Sequence, residues 1–202
     1  MKMRFTSVLV LAFALAVCAP ASASIIYTNG PINGSGGYSI AGSYGYAVAD
    51  SFVSAGSATV TSFDAGIWVY SGDTPTTVTW EILTGGPSWG GGTEVATGNA
   101  TWTNTYWGSR FGYYDVYTST ASGLNVGLGT GTYWLELSNG ATADASNVYW
   151  DYNYGLSSAY QNPTGSIPSE AFTVYGTPVP PSALLLGSGL LGLGGWRRLR
   201  KS

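Results

Sequence analysis

The chain has 202 residues, 30 of them glycine and 15 tyrosine, with one cysteine and no histidine. Seven basic residues stand against ten acidic ones, a formal charge of −3. Without histidine, Ser-His-Asp catalysis and the usual zinc sites are excluded, and a lone cysteine permits no disulfide framework.

The N-terminus carries Lys2 and Arg4, an apolar run from Phe5 to Val17, and then Ala21-Ser22-Ala23. A basic start, an apolar middle and an A-x-A end are the three parts of a secretory signal peptide. Residues 1–23 are therefore expected to be a signal segment cut after Ala23, with the secretion translocon and signal peptidase as partners. The one cysteine, Cys18, lies inside it, so the exported body has none. Four more bases (Arg197, Arg198, Arg200 and Lys201) lie at the other end, which leaves Arg110 alone among ten acids between residues 24 and 177. One base against ten acids gives that body a formal charge of −9. Phosphate backbones would repel it, which argues against nucleic acid as a partner.

Within the body, Ile25-Ile26-Tyr27 predicts a first edge strand, followed by a loop rich in Gly, Asn and Pro. Residues 48–53 (Val-Ala-Asp-Ser-Phe-Val) predict the next strand. From Ala58 to Tyr70, Phe63, Ala65, Ile67 and Val69 alternate with Asp64, Gly66, Trp68 and Tyr70, the period of a half-buried strand. Ser71-Gly72-Asp73-Thr74-Pro75 is a turn, and Thr76–Leu83 alternates again, so an antiparallel hairpin is expected there. Further strands are expected over Thr93–Thr103, anchored by Val95, and over Phe111–Thr118, Gly131–Ser138, Asn147–Asn153 and Glu170–Tyr175. Nothing between Ser24 and Gly176 has helical periodicity. About nine short strands with frequent turns predict an all-β domain over residues 24–177, a single antiparallel β-sandwich of jelly-roll type.

Seven Trp, fifteen Tyr and four Phe lie in this body. Trp68, Trp89, Trp107 and Tyr154 fall out of phase with the apolar face or in loops, and are expected at the surface. Exposed flat rings stack on the apolar faces of sugars, so these four are candidate glycan contacts, with exopolysaccharide as the ligand class. The competing reading is that large rings fill a glycine-rich, leucine-poor core. Asp144, Asp151 and Asn153 have the oxygen chemistry calcium prefers, but their spacing matches no calcium loop, so a solvated loop, no metal and no cofactor are expected. No spacing among the acids picks out a facing pair for glycoside hydrolysis, and a non-enzymatic body is expected.

The chain ends with Val179-Pro180-Pro181, an apolar run from Ala183 to Trp196 containing Leu184-Leu185-Leu186-Gly187, and then the cluster Arg197, Arg198, Arg200 and Lys201. As a helix the run would be about 21 Å long, short of the ~30 Å hydrocarbon core, with the arginines snorkelling at a membrane surface. Residues 178–202 resemble a PEP-CTERM sorting signal, in which a short Pro-containing motif precedes a Leu/Gly-rich membrane helix and an Arg run. Val179-Pro180-Pro181 stands where that family has Pro-Glu-Pro. The resemblance implies a Gram-negative exporter and a sorting motif made of Val179, Pro180, Pro181, Arg197, Arg198 and Arg200. It further implies transient anchoring through the C-terminal helix and processing by an exosortase-type membrane protease. Delivery would then be to the cell surface or an exopolysaccharide matrix.

Overall fold

The computed structural model describes residues 23–178, and the residues described form no α-helix. No helix among them is long and apolar enough to cross a membrane. Residues 1–22 of the expected signal segment, Ala21 among them, the sorting residues Val179, Pro180, Pro181, Arg197, Arg198 and Arg200, and the apolar run 183–196 lie outside the described residues.

Thirteen strands form two sheets, and every strand pairing is antiparallel. The first sheet runs β1 (Ser24–Thr28), β13 (Phe172–Pro178), β4 (Ala58–Tyr70), β8 (Tyr114–Leu128) and β7 (Thr103–Arg110). Beyond β13, β10 (Tyr149–Asp151) continues along the same edge of β4 and carries β2 (Gly37–Ser39) outside it. The second sheet runs β12 (Gly165–Ile167), β11 (Ala159–Asn162), β3 (Ala47–Ser54), β9 (Gly131–Thr142), β5 (Pro75–Thr84) and β6 (Thr93–Thr101).

One continuous core lies between the sheets. The first contributes Phe63, Ala65, Ile67, Trp150, Phe172 and Val174; the second contributes Val48, Phe52, Ile82, Leu135 and Leu137. Phe52 and Phe172 meet across it edge to face at 6.4 Å. This is an all-β fold of antiparallel sheets, consistent with a β-sandwich. The long strands β3–β4 and β8–β9 form a two-stranded ribbon that folds over from one sheet to the other. Ser54 faces Gly131 on one side of the fold-over, and Ala58 faces Leu128 on the other.

Three local expectations are corrected. β4 and β5 are not a hairpin: β4 pairs with β8, β10 and β13, while both edges of β5 are taken by β6 and β9 in the other sheet. The intervening turn is a crossover tied to both sides. The Gly72 N–H donates to Asp115 (3.0 Å) on β8, and the Ser146 hydroxyl, just past β9, donates to Asp73 (2.6 Å). Val95 does not anchor the Thr93–Thr103 stretch, being 40% exposed; Trp102 does, buried edge-on against Phe63 at 5.7 Å where the chain changes sheets. Residues 111–113 are a turn rather than strand, with Phe111 in the left-handed region (φ 56°), and β8 starts at Tyr114. The hairpin β11–β12 has no counterpart among the expected strands.

Candidate functional site

The outer face of β4 carries Asp64, Gly66, Trp68 and Tyr70, and a loop lies across it. Gly66 makes room: a Cβ there would come within 2.7 Å of the Ile32 side chain and 2.9 Å of the Asp151 Cβ. Asp151, pointing outward from β10, holds the loop by accepting the N–H groups of Asn33 (3.0 Å) and Gly34 (3.2 Å). The same carboxylate accepts the Trp68 indole N–H at 2.7 Å. The rings of Phe111 and Tyr114 pack over Trp68, with centroids 5.9 and 5.6 Å away. The loop is closed off by Trp107, whose ring the Arg110 guanidinium covers at 4.3 Å. Gly34 (φ 67°) has no space for a side chain, since its Cβ would reach the Trp107 ring edge at 2.9 Å.

Beside this loop lies an open cleft of about 200 Å³, lined by Pro31, Ile32, Asp64, Trp107, Thr118 and Thr173 among others. Asp64 is fixed in place: one oxygen accepts the Thr120 hydroxyl (2.7 Å) and the other the Tyr175 hydroxyl (2.8 Å). The cleft thus offers one aromatic wall, one carboxylate and two threonine hydroxyls. Chemically it suits a small polyol, with hydrogen bonds to hydroxyls and a ring face against an apolar face.

The four residues expected to contact glycan do not form one platform. Trp68 is corrected outright: it is 2% exposed and packed under the loop, so its ring offers no free face. Trp107 is 37% exposed and lines the cleft. Trp89, equally exposed, sits on a short 3-10 turn (Ser88–Gly90) between β5 and β6 of the other sheet. That turn is pinned by the Ser88 N–H and hydroxyl, which donate to Glu136 at 2.8 and 2.7 Å. Tyr154, 77% exposed, follows β10 and packs edge to face on Tyr152 at 5.7 Å. The grouping of Asp144, Asp151 and Asn153 as a solvated loop is also corrected. Asp151 and Asn153 are buried, and their oxygens accept from different partners: Trp68 and the Asn33 and Gly34 amides for Asp151, Gly155 and Ser169 for Asn153.

A second polar group, which the sequence reading passed over, lies inside the fold. On β3 the inward-facing series is Val48, Asp50, Phe52, and Asp50 pairs with Leu135 in the middle of the apolar inner face. It is fully buried. One of its oxygens accepts the Glu170 N–H (2.6 Å) and the Asn29 amide (3.2 Å), and Asn29 also donates to the Glu170 carbonyl (2.7 Å). Glu170 bridges to Tyr152 at the end of the first sheet and is likewise fully buried. The other oxygen of Asp50, both carboxylate oxygens of Glu170 and the Ser157 hydroxyl are buried without a hydrogen-bond partner in the protein. Burial lifts the Asp50 carboxyl to about 6, against the hydrogen bonds it accepts. Glu170 is raised well above the usual range by burial and by the charges of Asp50 and Asp151. The legible signal was Asp50 itself, an acid at the i+2 position of an otherwise apolar series.

No family model matches the chain, and no curated protein matches it.

Proposed function

We propose that the chain is an exported, non-enzymatic protein of the cell surface or an exopolysaccharide matrix, its β-domain carried between a cleaved signal peptide and a C-terminal sorting signal. The observation that carries this reading is the three-part tail: Val179-Pro180-Pro181, then the Leu/Gly-rich run to Trp196, then Arg197, Arg198 and Arg200, in a chain that opens with a signal sequence. In support, the strands run from Ser24 to Pro178, the stretch between the two targeting segments. The ribbon of β3–β4 against β8–β9, folded over from sheet to sheet, supports a jelly-roll-like arrangement.

Intact-mass measurement of the protein from its host tests the reading. The mature form should begin at Ser24 and lack the C-terminal run, with exosortase-type processing near Val179–Pro181. A variant lacking residues 183–202 should be secreted with its Pro motif uncut. If the truncated and full-length proteins reach the same fraction with the same C-terminus, the tail is not a sorting signal.

A second reading, carbohydrate binding, is favoured by the cleft, where Trp107 stands opposite the fixed Asp64 and the hydroxyls of Thr118 and Thr173. Under it, oligosaccharides of the host matrix bind with affinity lost in Trp107→Ala. Binding that is unchanged by that substitution would place any glycan contact elsewhere.

A further inference from the structure

We propose that the protein binds a calcium ion in its interior, between the carboxylates of Asp50 and Glu170 and the hydroxyl of Ser157. Asp50 reaches inward from the second sheet, and Glu170 lies on the strand side of the first, two residues before β13. Asn29 ties them together, donating to the Asp50 carboxylate and to the Glu170 carbonyl. Four oxygens are left there without partners: one from Asp50, two from Glu170 and one from Ser157. Buried polar atoms are nearly always bonded, and a buried carboxylate is costly unless something compensates its charge.

Among the described residues no cation does. The one base among the described residues, Arg110, is held over Trp107 on the outer face of the first sheet. A proton on Glu170 would neutralise one charge and leave that of Asp50 uncompensated. A divalent cation balances both carboxylates at once. The Ser157 hydroxyl lies beside the Asp50 carboxylate, yet the two make no well-formed hydrogen bond.

The ligand set selects the metal. It is all oxygen, which excludes the sulfur and imidazole preferences of zinc and copper. Among the described residues no three His, Cys, Asp or Glu side chains group as metal ligands. The proposed shell takes two carboxylates and a hydroxyl from the protein and water or main-chain carbonyls for the rest. Calcium tolerates such an irregular, part-bidentate set, whereas magnesium demands a regular octahedron and dehydrates reluctantly.

The experiment uses the full-length protein in mild detergent, stripped with EDTA and titrated with CaCl2 and separately with MgCl2. Calorimetry should show one calcium per chain, and at 100-fold over the dissociation constant the melting midpoint should rise by about 5–10 °C. Asp50→Asn and Glu170→Gln, which keep side-chain shape and remove buried charge, should melt at or above the metal-free wild type and lose the calcium shift. Asp144→Asn, on an exposed turn, should keep it. Absence of calcium binding by the stripped wild type at 10-fold above millimolar levels would overturn the proposal, since extracellular modules bind at about 10⁻⁴–10⁻³ M. An equal shift with magnesium, or a shift retained in the doubly substituted protein, would overturn it as well.

Discussion

Asp151 shows how one carboxylate can hold a surface layer together. Two backbone amides and an indole converge on it, and its burial lifts its pKa to about 6 against those donors and the nearby charge of Arg110. Because the folded value lies above the ordinary 3.8, the folded state holds the proton more tightly than the unfolded chain does. The contribution is complete below pH 3.8 and is lost as pH rises through about 6, a swing of about 3 kcal/mol at the conversion of ~1.36 kcal/mol per pH unit. In metal-free buffer, urea unfolding of the wild type between pH 4 and 7 should therefore show falling stability. Asp151→Asn should flatten that segment, and the difference between the two curves isolates this residue. Asp115 acts in the opposite sense. The Ser109 hydroxyl and the Gly72 amide hold its carboxyl below the usual range, so its contribution disappears as pH falls below about 3.8 and the curve should turn over there.

At the scale of elements, β4 explains both what could be read from the sequence and what could not. Its alternation is plain, and Phe63, Ala65, Ile67 and Val69 do face the core. Alternation gives a strand and its inner face, but it carries no information about which strand lies alongside, and so the turn at Ser71–Thr74 passed for a hairpin. Nor does it show that an outer face is covered. Trp68 is buried because the loop at Ile32–Gly34 folds back across Gly66, a long-range contact with no local periodicity. The candidate site depends on such contacts throughout: Trp107 could be picked out as a single exposed ring, while Asp64, Thr118 and Thr173 meet it only through the pairing of β4 with β8 and β13. Gly66→Val tests the covering loop. A valine cannot fit under Ile32 and Asp151, so the Asn33 and Gly34 amides should lose protection from hydrogen exchange and Trp68 fluorescence should shift to the red, while the core strands keep their protection.

At the scale of the molecule, the body is acidic throughout. Ten acids and one base between residues 24 and 177 repel one another at low ionic strength, where the Debye length is about 30 Å. Raising NaCl from 10 to 150 mM shortens that length to about 8 Å, and with EDTA present the melting midpoint should climb by a few degrees. A midpoint that falls with salt would show that the partial charges of the fold, rather than the carboxylates, dominate its electrostatics. The all-β class was legible at this scale because no stretch of the body offers helical spacing. The assignment of strands to sheets was not, because eight of the twelve connections between consecutive strands cross from one sheet to the other.

The placement of β13 has a consequence for the order in which the molecule can be assembled. Ser24 pairs with Gly176 at one edge of β13, and Ala58 pairs with Pro178 at the other. The last strand among the described residues is thus an inner one, inserted between β1 and β4. Until it arrives, β1 has no partner and the stretch of β4 from Ala58 to Ala65 stands open on one edge. A chain emerging through a pore from its N-terminus can therefore build the second sheet early, but it can close the first only when its final body residues are through. Under the proposed export, folding of the domain and completion of its passage become a single event.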